Sequence, residues 1–190
     1  MKTNQMGIDL IKSFEGYSSK AYKCPAGVWT CGFGHTNGVN SSTTCTKEKA
    51  EEWLRNDLIS SETAVISWNY LYKWNVNEFS ALVSFTFNCG SGSLKNLLKS
   101  GNRSRAEIRK AILLYNKDIN GKQLAGLVRR RKAELELFNK PVSEPTPIKE
   151  YETVNDIVKG IWNGDFGTPW SKSDLLYKYF QKKVNEYKGG

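Results

Sequence analysis

Histidine is nearly missing from this chain: His35 is the one among 190 residues. That argues against the multi-histidine zinc sites that cleave amide bonds. The four cysteines, at 24, 31, 45 and 89, contain no C-x-x-C pair, which argues against a zinc ribbon. No metal or other cofactor is expected. No apolar run approaches the length needed to span a bilayer. The opening MKTNQMGIDLIKSFEG enters a helix pattern at once and leaves no stretch for a secretory leader. The chain is therefore expected in the cytoplasm of its producing cell, with its cysteines as free thiols. Proline is scarce too, and three of the five fall within residues 141–147.

Aromatic residues make up 12% of the chain, enough for a packed globule. A length of 190 residues suits one main domain with a small appendage. The net charge of +9 is uneven: residues 1–140 hold 21 Lys and Arg against 12 Asp and Glu, whereas residues 141–190 hold 7 of each. A basic domain attracts a polyanion. No nucleic-acid motif is present, and a bacterial wall, with its peptide carboxylates and teichoic phosphates, fits the charge equally well. Arg129, Arg130 and Arg131 form the one dense basic run; gripping such a wall and tying a helix to its neighbours are equally open readings.

The pattern predicts an α+β fold. Met6, Leu10, Ile11 and Phe14 mark a first amphipathic helix ending at Glu15, and Gly16 breaks it. A β-ribbon follows, with Tyr22 and Lys23 entering a Pro25-Ala26-Gly27 turn and Val28 to Phe33 returning. Thr46 caps a long helix with Ala50, Trp53, Leu54, Leu58 and Val65 inward. An Asn-capped segment, apolar nearly all round, should cross the core and stop at Gly90. Two shorter helices are expected around 94–99 and 106–115. A last helix carries Leu124, Leu127, Val128, Leu135 and Phe138 on one stripe.

Glu15 stands at a helix–sheet junction, where a carboxyl can hold a proton near neutrality. The residues around it, F-E-G, A-Y, P-A-G, W-T and G-F-G-H-T in that order, resemble the phage-type lysozymes, the muramidase endolysins of glycoside hydrolase family 24. The likeness continues through Ala81-Leu82, Phe85, Phe87-Asn88 and Gly90, and through Gly126-Leu127, Arg130-Arg131, Glu134, Leu137 and Phe138. It thus covers residues 5–139. The family's spacing of glutamate, aspartate and threonine is kept as Glu15, Cys24 and Thr30, with cysteine replacing the aspartate.

The resemblance implies a phage-type lysozyme fold, a small β-ribbon lobe beside a mainly helical lobe. It implies hydrolysis of the β-1,4 bond between N-acetylmuramic acid and N-acetylglucosamine in peptidoglycan. Glu15 would be the general acid; Cys24 and Thr30 would position and activate water. Phe33, Gly34 and Thr36 would contact substrate. A thiol of ordinary pKa, about 8.5, is mostly protonated at pH 7, so Cys24 needs acidifying for that role. Cys31 and Cys45 lie near enough in sequence for either to reach it. Two other functions stay open: a thiol hydrolase of wall peptides using Cys24 and His35, and a silent wall-binding protein on a lysozyme frame. His35 itself reads best as a structural hydrogen-bonding residue.

Residues 1–140 form the expected catalytic domain, 141–151 a proline-rich linker and 152–190 a small helical module. V-K-G-I-W-N-G and F-Q-K-K-V-N-E in the module resemble the wall-binding repeat of the seventh choline-independent phage lysin type. Peptidoglycan is the expected partner of a monomer that neither binds nucleic acid nor inserts into membranes.

Overall fold

A computed structural model describes residues 1–142, which form one compact unit. The expected linker beyond Val142 and the 152–190 module lie outside the described residues. Helix α1 runs Gln5–Glu15 and is followed by an antiparallel hairpin of β1, Ser18–Lys23, and β2, Trp29–Gly32. Tyr22 pairs with Thr30 and Lys23 with Trp29, while the register slips between Ser18 and Tyr22. Residues 43–45 bond to the other side of β1, through Ala21 N–H to Thr43 O and Cys45 N–H to Ser19 O.

The rest is helical: α2 Lys47–Asp57, α3 Ile59–Ile66, the short α4 Asn69–Tyr72, α5 Val76–Leu97, α6 Arg105–Ile112 and α7 Ala125–Asn139. This is the expected α+β arrangement. Helix α5 runs through the core, and Phe79, Ala81, Leu82, Val83 and Phe85 are wholly buried. Its start is a capping box: Asn75 accepts from the N–H of Glu78, and the Glu78 carboxylate accepts from the N–H of Asn75. The chain kinks at Gly90 but helix resumes, so the expected stop is a bend and the helix foreseen near residue 94 is its continuation.

Three other expectations are corrected. The long helix after Thr46 is two helices meeting at Leu58, although the Thr46 cap is present. In α1 the core face carries Ile8 and Ile11, while Met6 is exposed. In α7 the buried face is mostly charged, with Arg130, Arg131 and Glu134 inside beside Leu137 and Phe138. Leu124 is exposed instead. Charge replaces the aliphatic stripe because Glu15 on α1 and Glu134 within α7 pair with the two arginines, while Ser84, Asn88 and Cys89 on α5 supply hydrogen-bond partners. Among the described residues no helix is long and apolar enough to cross a membrane.

Candidate active site

Gly16 takes φ 73° and ends α1, which leaves Glu15 as its last helical residue. The Glu15 side chain is 26% exposed, and its Oε1 accepts from Arg130 Nη1 at 2.7 Å. Besides the helix–sheet junction, a buried guanidinium thus holds Glu15 from behind. Arg130 in turn reaches Glu134 Oε1 with Nε at 3.3 Å and lies over the Phe14 ring at 5.5 Å. The arginine run divides accordingly. Arg130 and Arg131 tie α7 into the protein, and Arg129 is exposed.

Cys24 opens the hairpin turn. Its N–H donates to Val28 O at 3.0 Å, and Gly27 N–H donates to Cys24 O at 2.8 Å. Such a tight turn aims amides at the sulfur. The N–H groups of Val28 and then Ala26 pull the thiol below its ordinary pKa, and the Thr30 hydroxyl acts in the same direction. Thr30, on β2, is buried and its hydroxyl is also within 3.1 Å of Val28 O. The fold thus joins Cys24 and Thr30 around one turn.

His35 is engaged elsewhere. Its Nδ1 lies 2.8 Å from Asp57 Oδ2, and its ring stacks on Trp53 at 4.7 Å. The neighbours acting on the Cys24 thiol are Val28, Ala26 and Thr30, so the cysteine–histidine pair of a thiol hydrolase is not assembled. Gly34 and Thr36 are exposed beyond β2, but the Phe33 ring belongs to the core, against Tyr17 at 5.4 Å. All four cysteines are free. Glu134 belongs to the motif of the last helix, but the motif alone assigns it no task. The available signal was its spacing, three and four residues after two arginines.

Comparison with known proteins bears on this arrangement. The family model described as phage lysozyme matches residues 12–134. The chain belongs to the phage lysozyme family. It is 37% identical over 146 residues to an endolysin of Acyrthosiphon pisum secondary endosymbiont phage 1, covering 73% of this chain and 98% of that one. It is 41% identical over 145 residues to an endolysin of Lactococcus phage c2, covering 75% of this chain but 62% of that relative's length. Among solved structures, the muramidase domain of SpmX from Asticaccaulis excentricus aligns with a TM-score of 0.65 at 37% identity, over 74% of this chain and 99% of that one. The span matched by the phage lysozyme model takes in Glu15, the hairpin and α7 up to Glu134.

Proposed function

We propose that this phage lysozyme is an endolysin muramidase of glycoside hydrolase family 24, with Glu15, Cys24 and Thr30 carrying the reaction. It is a lysozyme-type glycoside hydrolase acting on peptidoglycan. The bond cut is the β-1,4 link from N-acetylmuramic acid to N-acetylglucosamine. The observation that carries this reading is the turn that joins Cys24 and Thr30 through the Val28 carbonyl, at the family's own spacing from Glu15.

Glu15 donates its proton to the departing glycosidic oxygen as that C–O bond breaks. On the far face of the sugar, water held by Thr30 attacks the anomeric carbon and gives its proton to the Cys24 thiolate. Product leaves with inverted configuration. The basic domain draws the anionic wall towards the cleft, with Gly34 and Thr36 as exposed contacts. The enzyme works as a monomer at the cell wall, without metal or cofactor. Residues 152–190 add affinity for the wall.

Mass spectrometry of muropeptides after digestion tests the bond. New reducing ends on muramic acid are expected, without new amines. New free amines would instead place the cut in the wall peptide.

A further inference from the structure

Behind Glu15 lies a charged group that the reaction as written leaves unused. Arg131 is fully buried and Arg130 nearly so, with 5% of its side chain exposed. Buried cations require counter-charges. Among the described residues the carboxylates touching them are Glu15, on Arg130, and Glu134, between the two arginines. Two guanidiniums and two carboxylates balance only while Glu15 is ionised. When Glu15 carries the proton it must deliver, the set holds one net positive charge and Glu134 is its one remaining anion.

The geometry around Glu134 is closely constrained. Its Oε1 accepts from Ser84 Oγ on α5 at 2.8 Å, from Arg131 Nη2 at 3.0 Å and from Arg130 Nε at 3.3 Å. Arg131 Nε lies 2.9 Å from Oε2, off the line of a good hydrogen bond, so that contact is chiefly one of charge. Arg131 also reaches back to α5, to Asn88 Oδ1 at 2.8 Å and Cys89 Sγ at 2.7 Å. On α1, the groups facing this set are Glu15 and the Phe14 ring, both on Arg130. Burial raises the Glu134 carboxyl on balance, against the pull of Arg131, Ser84 and Arg130; the two guanidiniums and the hydroxyl set around it nonetheless fit the ionised form.

We infer that Glu134 is a positioning residue for the hydrolysis: it aims the Arg130 guanidinium at Glu15 and supplies the buried negative charge that lets Glu15 hold a proton beside it. This rests on the reading of Glu15 as the general acid. Without the Glu134 charge, protonated Glu15 would face two uncompensated cations, and its ionised form would be favoured.

The test is the pH dependence of wall hydrolysis by the full chain, with thermal melts confirming folding. Glu134→Gln should move the alkaline limb, where the acid loses its proton, to lower pH by about one unit, as expected for deleting one charge at an effective dielectric of about 20. Arg131→Gln should move the same limb to higher pH. Glu134→Asp keeps the charge and should hold the limb in place while lowering kcat. A folded Glu134→Gln protein with an unmoved limb would overturn the inference. If that variant does not fold, Arg131→Gln decides, and an unmoved or lowered limb is equally fatal. Glu15→Gln is measured alongside. Activity there would remove both readings; an inactive Glu15→Gln with unmoved limbs in the others would remove only the role of Glu134.

Discussion

The sulfurs of Cys31 and Cys45 stand 3.3 Å apart, and each also contacts the Ser18 carbonyl, at 3.6 and 3.7 Å. Cys24 belongs to a different neighbourhood, the turn formed with Ala26, Val28 and Thr30. Oxidation should respect that division. With oxidised glutathione in excess, Cys24 should end as a mixed disulfide and any intramolecular bond should join Cys31 to Cys45. Peptide mapping by mass spectrometry reads the outcome. A bond from Cys24 to either of the others would contradict the described geometry.

Alkylation gives a second check, because reactivity follows the thiolate. The turn amides pull the Cys24 thiol below its ordinary value, whereas burial and then the Cys31 contact push Cys45 up to about 11. Iodoacetamide at pH 7 should label Cys24 well before Cys45, with activity falling in step. The Cys45 rate should climb about tenfold per pH unit through the neutral range. Cys24→Asp should remain active and ignore oxidants, while Cys24→Ser should lose about 10²-fold or more, since a hydroxyl stays protonated. Full activity in Cys24→Ser would make the thiol a bystander.

Much of this is legible in the sequence. The Asn75 cap acts on the next helical turn, and the Pro25-Ala26-Gly27 turn bends within a few residues, so local chemistry suffices to predict both. The charged interior of α7 was not readable in the same way. Arg130 meets Glu15 across 115 positions of sequence, and Glu134 meets Ser84 across 50. Hydrophobic periodicity assigns charge to solvent, and only a partner on another helix reverses that assignment. The Cys31–Cys45 approach was hidden for a similar reason: residues 43–45 return to the outer side of β1 after a long polar loop.

Acid should loosen the entry to α1. The buried Glu62 carboxylate on α3 accepts from Thr3 N–H and Thr3 Oγ1, each at 2.9 Å, and from Lys2 Nζ at 2.9 Å. Burial pushes this carboxyl up, but the Thr3 and Lys2 donors outweigh it, and the net direction is downward. A lowered carboxyl stabilises above its unfolded pKa, about 4.3, and loses that contribution as pH falls through the folded value. Glu62→Gln should therefore cost about 1–3 kcal/mol at pH 7, with the gap closing below about pH 4. Denaturant titrations at both pH values measure it. An equal gap at both would assign the effect to packing.

The seat of the hairpin on α2 should tolerate no side chain at Gly32. Its φ is +68°, and an added Cβ would lie 2.8 Å from the Ala50 Cβ. Gly32→Ala combines backbone strain with overpacking, for an expected loss of about 3 kcal/mol. Activity should fall alongside, because Thr30 is two residues away on the same strand. A melting temperature within 1 °C of the parent, on the order of measurement error, would show that the hairpin can shift freely.

Residues 152–190 should matter for binding more than for turnover. The cut belongs after Val142, because Asn77 Nδ2 holds the carbonyls of Lys140 and Pro141 at 3.0 and 3.3 Å. The shortened enzyme should still hydrolyse soluble wall fragments and lose retention on sedimented wall, most clearly at high salt where the attraction of the basic domain is screened. Unchanged retention at high salt would assign the segment another use.

The same Asn77 amide also accepts from Asn4 Nδ2 at 2.8 Å. One side chain therefore clasps the way into the domain and the way out of it, so the backbone of residues 4–141 is nearly a closed ring. Rings can be opened elsewhere: in the enzyme cut after Val142, linking Val142 to Met1 through a few residues and cutting an exposed loop would give the same domain with new ends. Asn4 caps the start of α1, and Glu15 ends that helix eleven residues on, roughly 16 Å away. A fluorophore, tether or second domain attached at the clasp would ride on the pole of the molecule away from the chemistry.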